Sequence, residues 1–594
     1  MTTLTTARGG SWLIEDATAD AIFTPEKRSD EHRLIGQTAD EFVTNEVLPA
    51  IDRLEQKDWA LARKLVGRAG ELGLLGADVP EAFGGVGLDK VSSILVGEAV
   101  GRSASFATTF GAQTGLAITP LLCFGTEAQK NRYLAGLVSG ELVGAYALSE
   151  SGSGSDALGA KARATRQPDG SFTLSGEKMW ITNGGFADLF IVFAKVVGEG
   201  EGDGAFTAFL VERAFSGVST GKEEHKMGLH GSSTTPLILQ EAKVPADNVL
   251  GEIGKGHKVA FNVLNYGRFK LAAMCSGGAR AIVGEAARYA IQRKQFGQPI
   301  ASFGAIKHKL AEIAIREFAV ESMLYRTAGL IDAAIEAHGP HSGSNGDAVL
   351  AALEEFAIEA SILKVAGSEM IDFAVDENVQ IHGGNGFVRD YPAERMYRDA
   401  RVNRIFEGTN EINRLLIPGM LIRRALKGGL PLIPAAKKLQ DDILTPSLPE
   451  PPSDEPLENA QRTVRSLKKV ALLILGTAMQ TYGEKLTDQQ EVLTLAADVI
   501  IDVFAAESVL LRAAGTTPRD AKLEVAAAEV YVSDAAARVE IAARSALAAM
   551  ADGDTLRTLL AALRRLLKPS PVNTIARRRQ IADAIVERKA YPYA

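Results

Sequence analysis

Arg395-Met-Tyr-Arg-Asp-Ala-Arg-Val-Asn-Arg-Ile-Phe-Glu-Gly-Thr-Asn410 is the stretch from which the rest of the chain can be read. It carries Arg395, Arg398, Arg401 and Arg404 at helical spacing and then a lone carboxylate, Glu407, between Phe406 and Gly408. Gly408 lets backbone approach a ligand closely, and Thr409 can cap the helix that "NEINRLLI" begins. This places Glu407 on a short break between two helices, on the apolar side of Ile405 and Phe406. Desolvation there raises the proton affinity of a carboxylate and makes it a candidate general base. On these residues alone, a helix-terminal glutamate facing water is the commoner explanation.

Upstream, 257–427 reads as long amphipathic helices, from "KVAFNVLNYGRFKLAAMCSGG" through "AIKHKLAEIAIREF" to "VLAALEEFAIEASILKVAGSEMIDFAVDENVQIHGG". "HGPHSGSNGD" (338–347) is a loop between them. The segment 146–256 changes period: "ARATRQPDGSFTLSGEKMWI" is two alternating runs about Pro168-Asp169-Gly170, a hairpin signal. "LFIVFAKV", "AFTAFLVER" and "PLILQEAKV" are further strands, with the acidic "GEGEGDG" (198–204) as an exposed loop. Residues 1–145 are helical again. Downstream, 428–456 is a Pro-rich linker and 457–594 an Ala- and Leu-rich helical domain. The expected fold is mainly α with a central antiparallel β domain and a C-terminal all-α extension.

At 594 residues the chain exceeds a single core and divides into several domains. A net charge of -8 argues against a chain whose overall charge gathers nucleic acid. Two cysteines, Cys123 and Cys275, exclude a disulfide framework and point to a reducing compartment. The apolar run 470–479 is about half of the ~20 residues a bilayer span needs. The first twenty residues lack a signal core, which leaves the cytoplasm of a prokaryote, the expected location, or a mature form whose targeting segment is absent.

Four further motifs carry candidate chemistry. "YALSESGSGSD" (146–156) fails as a dinucleotide fingerprint, because its glycines are misplaced and no βαβ unit follows. As a loop of hydroxyls and free amides it can hold a flavin edge, although Gly/Ser linkers look similar. "MWITNGG" (179–185) offers Trp180 to pack on a flat ring and Thr182 on the same strand face, and a core Trp is the plainer alternative. "RKQFG" (293–297) and "QIHGGNGF" (380–387) end helices with a guanidinium and with glycines, either of which can clasp a pyrophosphate. The histidines are scattered, and neither HExxH nor CxxC occurs, so no metal is expected.

In their joint order these motifs are similar to the acyl-CoA dehydrogenase flavoprotein family, over about 30–427. "LNYGRF", the "RKQFG" spacing and the helical extension look most like its very-long-chain branch. The resemblance implies FAD as cofactor, a fatty acyl-CoA as substrate, trans-2-enoyl-CoA as product and an electron-transfer flavoprotein as partner. It implies Glu407 as the base that takes the Cα proton while hydride leaves Cβ, with its backbone N–H in the oxyanion hole. Leu148, Ser149 and Ser155 match positions touching the flavin or pantetheine arm. Trp180, Ile181 and Thr182 match the stretch along the isoalloxazine. Arg293, Gln295 and Phe296 match residues reaching a neighbouring subunit's FAD, with Gln380, Gly383 and Gly384 by its pyrophosphate, which implies at least a homodimer. Thr409 and Glu411 match contacts to the ADP half. Asn265, Arg268, Ser155 and Gly408 match the substrate's side of the site.

Two positions depart from the family pattern. Ser151 stands where the "TEP" loop usually has Pro, which suggests a looser loop. Gly267 stands where another branch carries its base, which leaves Glu407 as the matched one. Small residues at Ala107 and Gly111 suit a long acyl tail or close helix packing. The basic run 557–580, which has no acidic residue, suits either a peripheral contact with an anionic membrane or a solvated helix face. An acyl-CoA oxidase and a flavin-bearing scaffold that binds DNA through its extension are the rival readings.

Overall fold

The computed structural model describes residues 7–197, 204–339, 346–444, 453, 455–516 and 522–593. The expected loops 198–204 and 338–347 therefore lie largely outside the described residues. Helices Asp30–Phe42, Trp59–Glu71, Lys90–Val100, Ala104–Gly111 and Glu127–Ser139 (α1–α5) make up most of the first region. α1 starts where its sequence says it should: Ser29 Oγ accepts from His32 N at 3.1 Å while the His32 ring accepts from Ser29 N. α3 is buried along its whole length, so it reads as a core helix without a polar face.

The second region is an eight-stranded sheet of Gly144–Ala147, Arg163–Arg166, Phe172–Thr182, Leu189–Val197, Ala205–Glu212, Val218–Thr220, Thr234–Val244 and Val249–Leu250 (β1–β8). Its order is β6-β7-β3-β2-β4-β5-β8, with β1 also on β4. The β2–β3 hairpin turns at Gly170, φ +84°, as its Pro-Asp-Gly predicts. The sheet is mixed, which corrects the antiparallel expectation: β1 and β2 both run parallel to β4. They occupy successive stretches of the same edge, Leu189–Val192 and Lys195–Val197. The loop 148–162 bulges out between them. Alternation along a strand is the same for either pairing direction, so the sequence does not reveal it.

Helices Gly256–Gln292, Gly304–Glu336, Ala357–His382, Pro392–Ala400 and Asn410–Leu426 (α6–α10) follow, with α6 packed along α8. The extension consists of Pro456–Tyr482, Gln490–Gly515, Lys522–Met550, Gly553–Leu566 and Thr574–Arg588 (α11–α15). Within the expected linker 428–456, Leu432–Leu444 is a helix, and Leu439 is buried in the main core. Pro431 precedes that helix and Pro434 falls in its first turn, where proline removes no intrahelical hydrogen bond.

The extension is bolted to the bundle through buried charge. Arg512 on α12, fully buried, meets Glu321 of α7 at 2.7 Å and Glu26 at 2.8 Å, and its guanidinium stacks 4.4 Å from the Phe318 ring. Arg326 meets Glu507 at 2.9 Å, and Trp12 packs 4.6 Å from Phe504 while donating to Glu359. Parts of the basic run 557–580 are drawn inward too: Arg577 pairs with Glu529 and Arg578 with Glu312. Among the described residues, no helix is long and apolar enough to cross a membrane.

Candidate active site

Three elements converge on Glu407. A 3-10 turn, Arg401–Arg404, ends the run from α9, and α10 begins at Asn410 with Thr409 Oγ1 accepting from Ile412 N at 3.3 Å. Between them Glu407 takes φ +59° and Gly408 φ +80°. A left-handed glutamate is strained, and such residues persist only where surroundings hold them. Here Arg268 Nε donates to the Glu407 carbonyl at 3.1 Å, and Asn413 Nδ2 donates to the carbonyls of Gly408 and Thr409. The break that the sequence implies is real.

The Glu407 carboxylate lies on the wall of a cavity of about 1290 Å³, with Oε2 out of solvent and without a hydrogen-bond partner. Burial pushes its pKa up to about 7, with Arg268 and Lys364 opposing the rise. A Cβ on Gly267 would fall 2.7 Å from Oε2, so the absence of a side chain there is what makes room for the carboxylate. Positions 267 and 407 thus aim at one point from two elements. Arg268 itself is buried, donates to Asn265 Oδ1 at 3.1 Å, and has its pKa lowered by burial to about 10.

The cavity gathers many of the residues named from the sequence: Leu148, Ser149, Ser155, Trp180, Ile181, Thr182, Asn265, Arg268, Gly408 and Thr409. A bulge in β3 between Lys178 and Ile181 shifts the strand's alternation. Lys178 and Ile181 point inward, while Trp180, at φ +59°, remains half-exposed on the cavity rim. The loop 148–155 is anchored although Ser151 replaces a proline. Glu150 accepts from Lys178 Nζ at 2.7 Å and from the backbone of Lys161 and Ala162. Arg293, Gln295, Phe296, Gln380, Gly383, Gly384 and Glu411 lie outside this cavity and are exposed. The four arginines before Glu407 divide: Arg398 pairs with Glu394 and Arg404 with Asp372, Arg395 is on the cavity wall, and Arg401 has Nη1 out of solvent without a hydrogen-bond partner.

The cavity also has residues that sequence reasoning missed, among them Tyr146, Met274, Cys275 and Thr487 of the extension. Behind Glu407 stands Lys364, fully buried on α8 and donating to Asn410 Oδ1 at 2.6 Å. A lysine inside the apolar "SILKVAG" is the signal that could have marked it. At about 1290 Å³ the cavity exceeds the roughly 300–1,000 Å³ of a single-ligand pocket, so it has room for a ring system and a second, elongated ligand.

Family models for the acyl-CoA dehydrogenase N-terminal, middle and C-terminal domains match residues 29–141, 145–242 and 254–421, and a further C-terminal-domain model matches 466–565. A "Probable acyl-CoA dehydrogenase" of Bacillus subtilis is 47% identical over 589 residues, 98% of each chain. The human "Very long-chain specific acyl-CoA dehydrogenase, mitochondrial" is 36% identical over 520 residues, covering 82% of this chain and 75% of the relative. Among solved structures, an acyl-CoA dehydrogenase complexed with FAD from Bacillus anthracis superposes with a TM-score of 0.95 at 48% identity, over 98% of this chain and 100% of the other. Butyryl-CoA dehydrogenase from Megasphaera elsdenii gives 0.60 at 36% identity, over 67% and 99%. With three family models that together cover more than half of the chain, a shared fold and a match along nearly the whole length, the chain belongs to the acyl-CoA dehydrogenase family of oxidoreductases.

Proposed function

We propose that this protein desaturates long-chain fatty acyl-CoA to the trans-2-enoyl-CoA, with FAD as cofactor and Glu407 as base. The observation that carries the reading is the Glu407 carboxylate: one oxygen orphaned, facing the bare backbone of Gly267, in a cavity large enough for two ligands. Other residues that line the cavity suit a flavin: an indole at Trp180 and hydroxyls at Ser149, Ser155 and Thr182. When bound, FAD supplies the acceptor for the hydride that leaves Cβ. Glu407 takes the Cα proton onto a carboxylate oxygen, and its proton affinity, raised by burial, is matched to a weak carbon acid. Its backbone N–H is the donor proposed for the thioester oxygen. Arg268 holds the strained turn in which both groups sit.

The substrate end of the cavity supports a long acyl tail. It follows α6 past Leu271, Cys275 and Gly278 to Ile282, and the run from Gly267 to Ile282 spans about 22 Å at the helical rise. Ala107, Gly111 and Ala112 line the same channel. A Cβ on Gly111 would lie 3.0 Å from Met274 Cε, so a larger side chain there would narrow it. For Gly111→Leu we expect kcat/KM with palmitoyl-CoA to fall about tenfold or more relative to butyryl-CoA. An unchanged ratio across a chain-length series would place the tail elsewhere.

Arg293, Gln295 and Phe296 are exposed and remote from their own cavity, as contribution to a second copy's cofactor site requires, and we infer a homodimer or larger homo-oligomer. Electrons pass on to an electron-transfer flavoprotein, and Trp180, which lines the cavity and is half-exposed, suits a route outward. The deciding experiment mixes the flavin-loaded protein anaerobically with palmitoyl-CoA and follows flavin absorbance. Bleaching is expected, and a spectrum that stays oxidised would sink the proposal. Hydrogen peroxide released in air at the rate of turnover would instead identify an oxidase.

A further inference from the structure

Glu407 has two buried cationic neighbours, Arg268 on α6 and Lys364 on α8. Neither forms an ion pair with a carboxylate among the described residues: Arg268 donates to backbone and to Asn265, and Lys364 to Asn410. A buried ammonium without a bonded counterion is costly, and one whose only strong partner is an amide oxygen is rarely there for packing alone. Its surroundings hold it firmly in place. Asn410, the first residue of α10 and three past Glu407, takes Lys364 on Oδ1, bonds Ser368 Oγ, and donates to Glu369 at 3.0 Å. Arg414, a turn along α10, clamps Glu369 at 2.6 Å. The amide end of Asn410 is thereby fixed, and with it the start of the helix that follows the strained turn.

We propose that Lys364 is a positioning residue for the base. Held on Asn410, its ammonium fixes the first turn of α10 and sets a positive charge beside the turn that carries Glu407. This rests on the reading of Glu407 as base. The charged and titratable groups facing the pair come from several elements: Arg268 and Cys275 from α6, Glu411 from α10 and Tyr146 from β1. Cys275 is pushed by burial to about 12 and Tyr146 well above its ordinary value, so both are neutral near pH 7. Glu411 is exposed and held low by hydrogen bonding to the ionised form. Arg268 and Lys364 are therefore the cations that oppose the desolvation of Glu407. Burial lowers the pKa of Lys364 itself to about 8, with Glu407 the chief opposing influence, which shows the coupling from the other side.

The sign of the effect follows. Removing the Lys364 charge leaves desolvation of Glu407 less opposed, so the base ionises only at higher pH. In the flavin-loaded enzyme with palmitoyl-CoA, Lys364→Met and Lys364→Gln should move the midpoint of the rise in kcat/KM with pH upward by about one unit. The deficit at pH 6.5 should be about tenfold and should largely close by pH 9. Gln removes the charge and keeps a polar donor on a chain one atom shorter, so it remains informative if Met prevents folding or flavin retention. Lys364→Arg, which keeps the charge, should hold the wild-type midpoint. A midpoint unmoved in Lys364→Gln, whether activity is normal or evenly reduced at every pH, would overturn the proposal and leave Lys364 a packing residue. Failure of the underlying reading looks different, since Glu407→Gln would then retain turnover.

Discussion

Glu407→Gln is expected to keep the fold and the bound flavin while turnover falls by roughly 10²–10⁴-fold or more, the usual effect of removing a positioned general base. The substitution keeps shape and one oxygen, so the left-handed turn, the Arg268 bond to the carbonyl and the space at Gly267 are all retained. What disappears is the capacity to accept a proton at Oε2. Rapid mixing with palmitoyl-CoA and a flavin absorbance spectrum separate the two outcomes: flavin present and not bleached is the expected one. Near-normal bleaching would refute Glu407, and loss of flavin would show a structural role. The pH dependence gives an independent check. With Glu407 raised to about 7 by burial, the free enzyme's kcat/KM should climb as pH rises through that value, because only the ionised form accepts the proton.

The second large effect is structural. Arg512→Met should destabilise the chain by about 3–5 kcal/mol, the range for breaking a buried ion pair from one side. Arg512 serves two carboxylates, Glu321 on α7 and Glu26 near the start of the described chain, and its removal leaves buried Glu321 with Arg280 as its one guanidinium and takes that partner from Glu26. Tyr591 and Arg280 also donate to Glu321, so two hydrogen bonds remain there, while the guanidinium stacked on Phe318 is exchanged for a thioether. The measurement is urea unfolding of the flavin-loaded protein, followed by circular dichroism and flavin fluorescence. A loss below about 1 kcal/mol, in the range of exposed pairs, would show that Arg512 does not help to hold the extension.

Much of this site was legible in the sequence because its key signals are local. A glutamate between an apolar pair and a glycine, followed by a threonine cap, describes a helix break, and the break is there. The β2–β3 hairpin was legible for the same reason, since Pro-Asp-Gly dictates its own turn. The contacts that complete the site are distant in sequence. Glu150 rigidifies its loop through Lys178 across the strand pair, and Lys364 reaches Asn410 from another helix. Neither leaves a period or a motif. Strand direction was hidden because parallel and antiparallel partners impose the same alternation on β1 and β2. The helix at Leu432–Leu444 was concealed by prolines that interrupt a helix interior but are tolerated at its start.

The unbroken course of α6, from Gly256 to Gln292, makes that helix a graduated ruler laid beside the reaction. On the proposed path of the acyl tail, Gly267 marks its zero, opposite Glu407, and each further turn toward Ile282 adds ~5.4 Å of depth. Chemistry and measurement are thereby separated along one rigid rod: a relative of this enzyme can exchange its taste in chain length by resizing a single graduation, while the end at which bonds are broken stays untouched.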